Sequence, residues 1–111
     1  MTYRAPVEDY NFLLEHVVGL EAVRGTPRFS DATADVTRAV LTEAGKMCEQ
    51  VLAPLQRNGD LHPARLENGV VRTPEGFAAA YDKIVEGGWI GLSAGEDIGG
   101  MGLPFTLSVA M

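Results

Sequence analysis

The stretch ATADVTRAVLTEAGKMCEQVLAPLQ, residues 32–56, decides the fold class. At about 100° per residue its apolar side chains fill one broad sector, and most of its charged side chains fall outside that sector. The sector comprises Val36, Val40, Leu41, Ala44, Met47, Cys48, Val51, Leu52 and Leu55. So wide an apolar face predicts a long helix with neighbours on more than one side, as in a helix bundle. Ser30 or Asp31 is expected to cap its start, and Pro54 to kink or end it.

Another helix is predicted upstream, over about residues 7–18. Its apolar positions recur at a spacing of three and four residues, at Tyr10, Leu13, Leu14 and Val17. Gly19 or Gly25 is expected to end this helix, because glycine readily adopts the left-handed conformation common after a last helical turn. The remaining residues, 20–30, have the composition of a loop.

Downstream of the long helix, a turn is predicted at Asn58-Gly59-Asp60 and a short extended piece at residues 69–72. Thr73-Pro74-Glu75 is typical of a helix start, with a cap, a first helical residue and a carboxylate in the first turn. A stripe that is expected to be buried follows, formed by Phe77, Tyr81, Ile84 and Val85. Gly87-Gly88 is expected to end this helix.

The last predicted helix begins at Pro104 and runs through apolar residues to Met111 without a terminator. We therefore expect an all-α fold of about four helices, the last one truncated, cut from something longer. Residues 1–30 are expected to form an N-terminal extension with one helix, and residues 31–111 an incomplete helical domain.

Composition excludes several classes of function. With 46% hydrophobic and 22% charged residues the chain is expected to fold rather than to be disordered. A net charge of −6 argues against nucleic acid as a partner. Cys48, His16 and His62 are too few for a disulfide or a thiolate–imidazole zinc cluster, so no metal site is expected, and a cytoplasmic location fits best. No segment has the length of a membrane span or the pattern of an export signal.

Two glycine-containing motifs are candidates for chemistry. Gly91-Leu92-Ser93-Ala94-Gly95 matches the G-x-S-x-G nucleophile elbow, but the elbow needs a preceding strand and a later acid and base, so an ordinary loop serine is the better interpretation. The amides of Gly99-Gly100-Met101-Gly102 could hold an anion, but Glu96 and Asp97 would oppose it. A tight connection that requires glycine conformations is preferred.

The remaining candidates favour structural roles. Glu15 and His16 point about 100° apart on a helix, which spoils them as an acid–base pair. Cys48 is interpreted as a small buried hydrophobe in surroundings that would not lower its pKa. Trp89 is interpreted as a core anchor where the third helix ends. From the residues alone, no catalytic, cofactor-binding or metal-binding residue is assigned.

The order of the punctuating residues resembles the N-terminal region of the acyl-CoA dehydrogenase family over the whole chain. The residues that carry the likeness are Ala5-Pro6, Asp9, Phe12-Leu13-Leu14, Ala53-Pro54-Leu55, Gly59-Asp60, Gly69-Val70-Val71, Pro74-Glu75-Gly76-Phe77, Tyr81, Gly87-Gly88-Trp89 and Gly99-Gly100-Met101-Gly102-Leu103-Pro104. The opening, Tyr3 to Leu14, is similar to the larger subgroup that includes 3-(methylthio)propanoyl-CoA dehydrogenase.

The resemblance implies an FAD-dependent parent enzyme of fatty acid metabolism that desaturates an acyl-CoA thioester between its α and β carbons. It implies an electron-transfer partner and a homo-oligomer. In the family the flavin-binding strands and the catalytic glutamate belong to later domains, so no such residue is carried over, and the fragment alone is expected to be inactive and to bind no FAD. The sequence leaves one alternative open, a stand-alone helical protein-interaction module.

Overall fold

The computed structural model describes residues 2–111 and is mostly helical, which confirms the all-α prediction apart from one short hairpin. The α-helices and strands are α1 Val7–Phe12, α2 Leu20–Arg24, α3 Ala34–Met47, α4 Gln56–Leu61, β1 Arg65–Glu67, β2 Val70–Arg72, α5 Phe77–Glu86 and α6 Phe105–Ala110. Two π-helical segments, Leu13–Val18 and Cys48–Leu52, continue α1 and α3, respectively.

The first predicted helix is confirmed over residues 7–18, but its second half is wound as a π-helix. Gly19 ends it with a φ of 71°, a left-handed conformation that costs glycine little. The loop predicted for residues 20–30 is wrong in part, because α2 and a short 3₁₀ turn, Pro27–Phe29, occupy most of it. Leu20 is fully buried, and this burial explains why the segment after Gly19 folds back as a helix.

The cap of the long helix is Thr33, whose Oγ1 accepts a hydrogen bond from the Val36 amide at 3.3 Å. The prediction of Ser30 or Asp31 as the cap is wrong. Ala32 lies just before the cap. Its carbonyl accepts a hydrogen bond from Arg24 Nε at 2.7 Å, and its amide donates to the Phe29 carbonyl at 3.0 Å. These bonds hold the preceding residues in a turn, so the helix cannot begin earlier.

Pro54 alters the long helix without ending it. Proline has no amide hydrogen to donate, so the regular hydrogen-bond pattern is interrupted there. The chain passes from the π-helical segment Cys48–Leu52 through a 3₁₀ turn, Ala53–Leu55, into α4. The predicted turn at residues 58–60 is therefore wrong.

Gly59 lies where α4 approaches α5. A Cβ at this position would lie 2.7 Å from Cζ of Phe77, so the missing side chain admits the ring of α5 against α4. Asn58 strengthens the contact, because its Nδ2 donates to the Glu75 carbonyl at 2.9 Å. Glycine here serves close packing rather than a turn.

The extended piece predicted at 69–72 is confirmed as β2, which pairs antiparallel with β1. Asn68 and Gly69 connect the strands, both with positive φ, as a two-residue hairpin turn requires. In the register of the hairpin, Arg65 lies opposite Arg72. All residues of both strands are exposed.

The start predicted for the third helix at Thr73-Pro74-Glu75 is three residues too early. The Phe77 amide donates to the Pro74 carbonyl at 3.2 Å, and Gly76 adopts a φ of 89°, so a turn precedes the helix. Gly87 and Gly88 end α5 as predicted, and α6 follows Pro104 as predicted.

The core of the described residues is small. Its fully or nearly buried leucines come from five different parts of the chain, namely Leu14, Leu20, Leu41, Leu92 and Leu107. The molecule measures 53 × 37 × 18 Å, and its radius of gyration is 16.7 Å, against about 13 Å for a compact domain of this length. It is therefore a thin plate with much of its apolar surface uncovered. No helix within residues 2–111 combines the length and apolar character needed to cross a bilayer.

Candidate functional site

The α5 stripe predicted to be buried is exposed at Tyr81 and Val85, at the edge of exposure at Phe77 and half-buried at Ile84, so that prediction is wrong in part. Tyr81 is 58% exposed and Val85 50%, whereas the small Ala80 is the buried residue of the helix. Together with Leu52 and Leu55, the exposed face borders a groove of about 320 Å³. Helical periodicity identified the apolar face correctly, but residues 2–111 cover it only in part, where Phe77 lies against α4.

A second uncovered apolar surface is the outer side of α6. Leu107 is completely buried against the core, while Phe105 and Val109 are 70% and 71% exposed. The helix is thus apolar on both sides. Helices of this kind are typical of positions between two layers of a larger protein.

The glycine loop between the 3₁₀ turn Trp89–Gly91 and α6 is a tight connection. The amides of Gly100, Met101, Gly102 and Leu103 donate to backbone carbonyls of Gly95, Gly91, Ala94 and Leu92, respectively, at 2.8–3.1 Å. These amides are already used, so they cannot also hold an anion. A Cβ on Gly100 would lie 2.1 Å from the Ala94 carbonyl oxygen, so the loop excludes any side chain there.

Ser93 lies in a turn that follows a 3₁₀ segment and not a strand. The two strands of residues 2–111 lie in the hairpin, so the strand–turn–helix context of a nucleophile elbow is not formed around Ser93. Glu96 and Asp97 are both exposed in the 3₁₀ turn Glu96–Ile98. None of these side chains is part of an enclosed site.

Glu15 and His16 do not act together. Glu15 accepts two hydrogen bonds from the Arg24 guanidinium, one of them at 3.0 Å, while His16 is exposed with its ring centroid 5.0 Å from that of Phe12. The hydrogen bond from Arg24 holds the pKa of Glu15 below its usual value. Sequence reasoning missed Arg24, which joins the first π-helical segment, α2 and the Ala32 carbonyl.

Cys48 is half-buried. Burial raises the pKa of its thiol, and the nearby Glu49 carboxylate raises this pKa further, as the smaller of the two causes. The prediction that its surroundings would not lower this pKa is confirmed. Trp89 is half-buried and packs against the leucine core, in agreement with its predicted anchoring role. His62 is exposed at the end of α4.

The described residues do not fit a flavin on their own. The grooves of the chain are open to solvent, and its two buried unpartnered polar atoms, Asn11 Nδ2 and Thr37 Oγ1, do not line them. An FAD cradle needs convergent hydrogen-bond partners in an enclosed cavity. Among residues 2–111, no three His, Cys, Asp or Glu side chains are grouped so as to hold a metal ion.

No protein-family model matches the chain. The 3-methylmercaptopropionyl-CoA dehydrogenase of Ruegeria pomeroyi is 44% identical over 110 residues, which are 99% of this chain and 19% of that protein. The broad-specificity linear acyl-CoA dehydrogenase FadE5 of Mycobacterium tuberculosis is 32% identical over 104 residues, 92% of this chain and 17% of that protein. The chain therefore spans less than a fifth of the length of these curated relatives.

Proposed function

Since this chain is homologous to acyl-CoA dehydrogenases along nearly its whole length, we propose that it is the N-terminal helical part of a longer enzyme of that family. The observation that carries the proposal is the 44% identity over 110 residues. Residues 31–111 would form the helical domain proper, and residues 1–30 an extension that precedes it.

The proposed activity belongs to the complete protein. It is the α,β-desaturation of an acyl-CoA thioester, in which FAD, when bound, accepts the hydride and the thioester is the substrate. We assign no proton transfer and no flavin contact to residues 2–111. The proposed work of this chain is to cover one side of the active-site cleft and to stabilise the assembled enzyme.

The uncovered apolar surfaces support this role. In the proposal, the α5 face with Tyr81 and Val85, and the outer side of α6 with Phe105 and Val109, contact the remainder of the enzyme. Burial of such side chains stabilises by about 25 cal/mol for each Å² of apolar surface removed from water. Because the described residues form a thin plate, further protein packed on these faces would add to the stability of the fold.

The same proposal extends to the setting of the enzyme. The parent is proposed to act in fatty acid metabolism in the cytoplasm, to pass its electrons to an electron-transfer partner and to assemble as a homo-oligomer. The single cysteine supports a reducing compartment. The net charge of −6 supports a protein that does not bind nucleic acid.

The proposal is tested on the complete product of the gene that contains these residues. That protein is expected to purify with FAD and to oxidise acyl-CoA thioesters in the presence of an artificial electron acceptor. Replacing Tyr81 and Val85 by lysine should lower flavin content and activity, whereas Ala79→Lys, on the exposed opposite side of α5, should change neither. A complete protein that purifies without flavin and leaves every thioester unoxidised would overturn the proposal.

A stand-alone helical interaction module is the second candidate, and the exposed α5 groove favours it as well. The two candidates differ in what the 111 residues do alone. A module would bind a separate protein through this groove. In that case Tyr81→Lys would abolish binding to that protein and would change no acyl-CoA dehydrogenase activity. If the 111 residues are instead part of a dehydrogenase, they are expected to bind no flavin and to oxidise no acyl-CoA until they are joined to the remainder of that enzyme.

A further inference from the structure

A cleft of about 550 Å³ lies where the end of α4 meets the base of the β1–β2 hairpin. Its walls include Asn58, His62, Arg65, Arg72 and Glu75. It lies outside the apolar surfaces described above, and the dehydrogenase homology gives it no role. Two arginines and a histidine therefore converge in one cleft of a chain whose net charge is −6.

Arg65 and Arg72 face each other directly across the hairpin. Like charges at opposed positions of an antiparallel pair are destabilising unless something neutralises them. Glu67 does so in part, because its carboxylate lies 2.8 Å from Arg65 Nε but 3.9 Å from Arg72 Nε. Among residues 2–111, Glu67 is the carboxylate that forms ion pairs with these arginines, and Glu75 also lies on the wall of the cleft. The excess of positive charge is therefore confined to the Arg65–Arg72 pair and does not extend over the cleft.

The cleft is held in shape by hydrogen bonds rather than by these charges. The hairpin has three residue pairs and a tight turn at Asn68 and Gly69. On the other wall, Asn58 Nδ2 donates to the Glu75 carbonyl at 2.9 Å and ties α4 to the segment that follows the hairpin. The backbone that carries the two arginines is therefore fixed by hydrogen bonds in the β1–β2 hairpin.

We propose that this cleft binds a phosphoryl group between Arg65 and Arg72. Each arginine meets Glu67 through Nε, which leaves its two terminal nitrogens for a ligand. A tetrahedral phosphate offers enough oxygens for both planar guanidinium groups, whereas a lone carboxylate matches only one of them in a bidentate way. His62 and Glu75 also lie on the wall, and because the Glu75 carboxylate opposes an anion on its own side, the phosphoryl group is placed at the arginine pair.

The test is a titration of the ¹⁵N-labelled 111-residue chain with inorganic phosphate, followed by backbone amide NMR, against sodium chloride at matched ionic strength. Saturable shifts are expected for residues 58–75. Arg65→Gln and Arg72→Gln should each weaken binding about tenfold, since each removes charge-assisted hydrogen bonds. Arg57→Gln is the matched control, because it removes the same charge from α4 outside the cleft, and it should weaken binding less than twofold, as a rough expectation for an exposed charge.

Adenosine 5′-monophosphate and adenosine form a second arm that distinguishes a phosphorylated metabolite from free phosphate. Tighter binding of the nucleotide than of phosphate, with no binding of adenosine, would assign the site to a phosphate ester. The inference is overturned if sodium chloride reproduces the phosphate shifts, if acetate binds as tightly as phosphate, or if Arg57→Gln is as damaging as Arg65→Gln. Circular dichroism of each variant shows that a lost shift is not a lost fold, and the outcome does not depend on the proposed dehydrogenase function.

Discussion

Arg24 shows how much one side chain can organise in a small core. Its guanidinium contacts the Glu15 carboxylate twice and its Nε donates to the Ala32 carbonyl, and its side chain is only 14% exposed. It therefore holds the first π-helical segment, α2 and the entrance to α3 together. The contact crosses a helix break at Gly19, which is why the helical spacing of the sequence did not indicate it.

This ion pair predicts a pH dependence of stability. The folded pKa of Glu15 is lowered by Arg24, so the pair stabilises the fold at pH values above the unfolded pKa of a glutamate, about 4.3, and the stabilisation is lost as pH falls through the lower folded value. Glu15→Gln should flatten this acid-side decrease in the free energy of unfolding, measured by urea denaturation across pH. Glu8→Gln, which removes an exposed pair with Arg38, is the control and should leave the slope nearly unchanged. An identical slope in wild type and Glu15→Gln would contradict the prediction.

Gly100 provides a second prediction at the residue scale. Gly100→Ala would bring a Cβ to 2.1 Å from the Ala94 carbonyl oxygen, a backbone atom that cannot move without breaking the glycine loop. The variant should lose about 3 kcal/mol of unfolding free energy. Gly25→Ala is the matched control, since Gly25 has a φ of −67° and its added Cβ would be 3.4 Å from the nearest heavy atom outside its chain neighbours. Thermal unfolding that is equal for the two variants would refute the argument.

At the scale of elements, the long helix is governed by what happens just outside it. Its cap is Thr33 because the preceding turn is tied to Arg24 and Phe29, and its passage through Pro54 is achieved by changing hydrogen-bond pattern. The choice of cap depends on contacts with other parts of the chain, whereas the change at Pro54 follows from its missing amide hydrogen. From the sequence, Ser30 or Asp31 was expected as the cap, because the contacts that select Thr33 are not visible in local composition.

The cap assignment can be tested by three substitutions. Thr33→Ala should lower the free energy of unfolding by about 1 kcal/mol, because it leaves the Val36 amide without its side-chain acceptor. Ser30→Ala and Asp31→Ala are the controls and should each cost less than about 0.5 kcal/mol. If chemical denaturation shows a larger loss of unfolding free energy for Ser30→Ala or Asp31→Ala than for Thr33→Ala, the assignment of Thr33 as the cap is wrong.

At the scale of the whole molecule, thinness is the dominant property. A plate 18 Å thick cannot enclose both sides of its helices, so α5 and α6 each keep an apolar side in water. The exposed side chains are contiguous along each helix rather than scattered. Such surfaces are typical of interfaces with other protein layers.

The isolated chain is therefore expected to self-associate. Sedimentation velocity should show a concentration-dependent increase in mass, and the double variant Tyr81→Lys, Val85→Lys should shift the chain towards monomer because charge replaces apolar surface on the α5 face. Ala79→Lys adds a charge elsewhere on α5 and should not have this effect. A wild-type chain that remains monomeric at every concentration would contradict this expectation.

The local patterns of the sequence determined the helical class, the helix over residues 7–18, the ends of α5 at Gly87-Gly88, the start of α6 after Pro104 and the homology to acyl-CoA dehydrogenases. These features depend on the spacing of apolar residues, on the backbone preferences of glycine and proline and on the inherited order of residues. All three are properties of the sequence itself.

Only the tertiary structure decided which apolar faces are covered, where the long helix is capped and which charges meet. Gly59 leaves room for the Phe77 ring between α4 and α5, and Arg65 faces Arg72 because the hairpin sets their register. Periodicity shows that a face is apolar but not whether another element lies on it. Burial and ion pairing are contacts between residues distant in sequence, so they are settled only when the chain has packed.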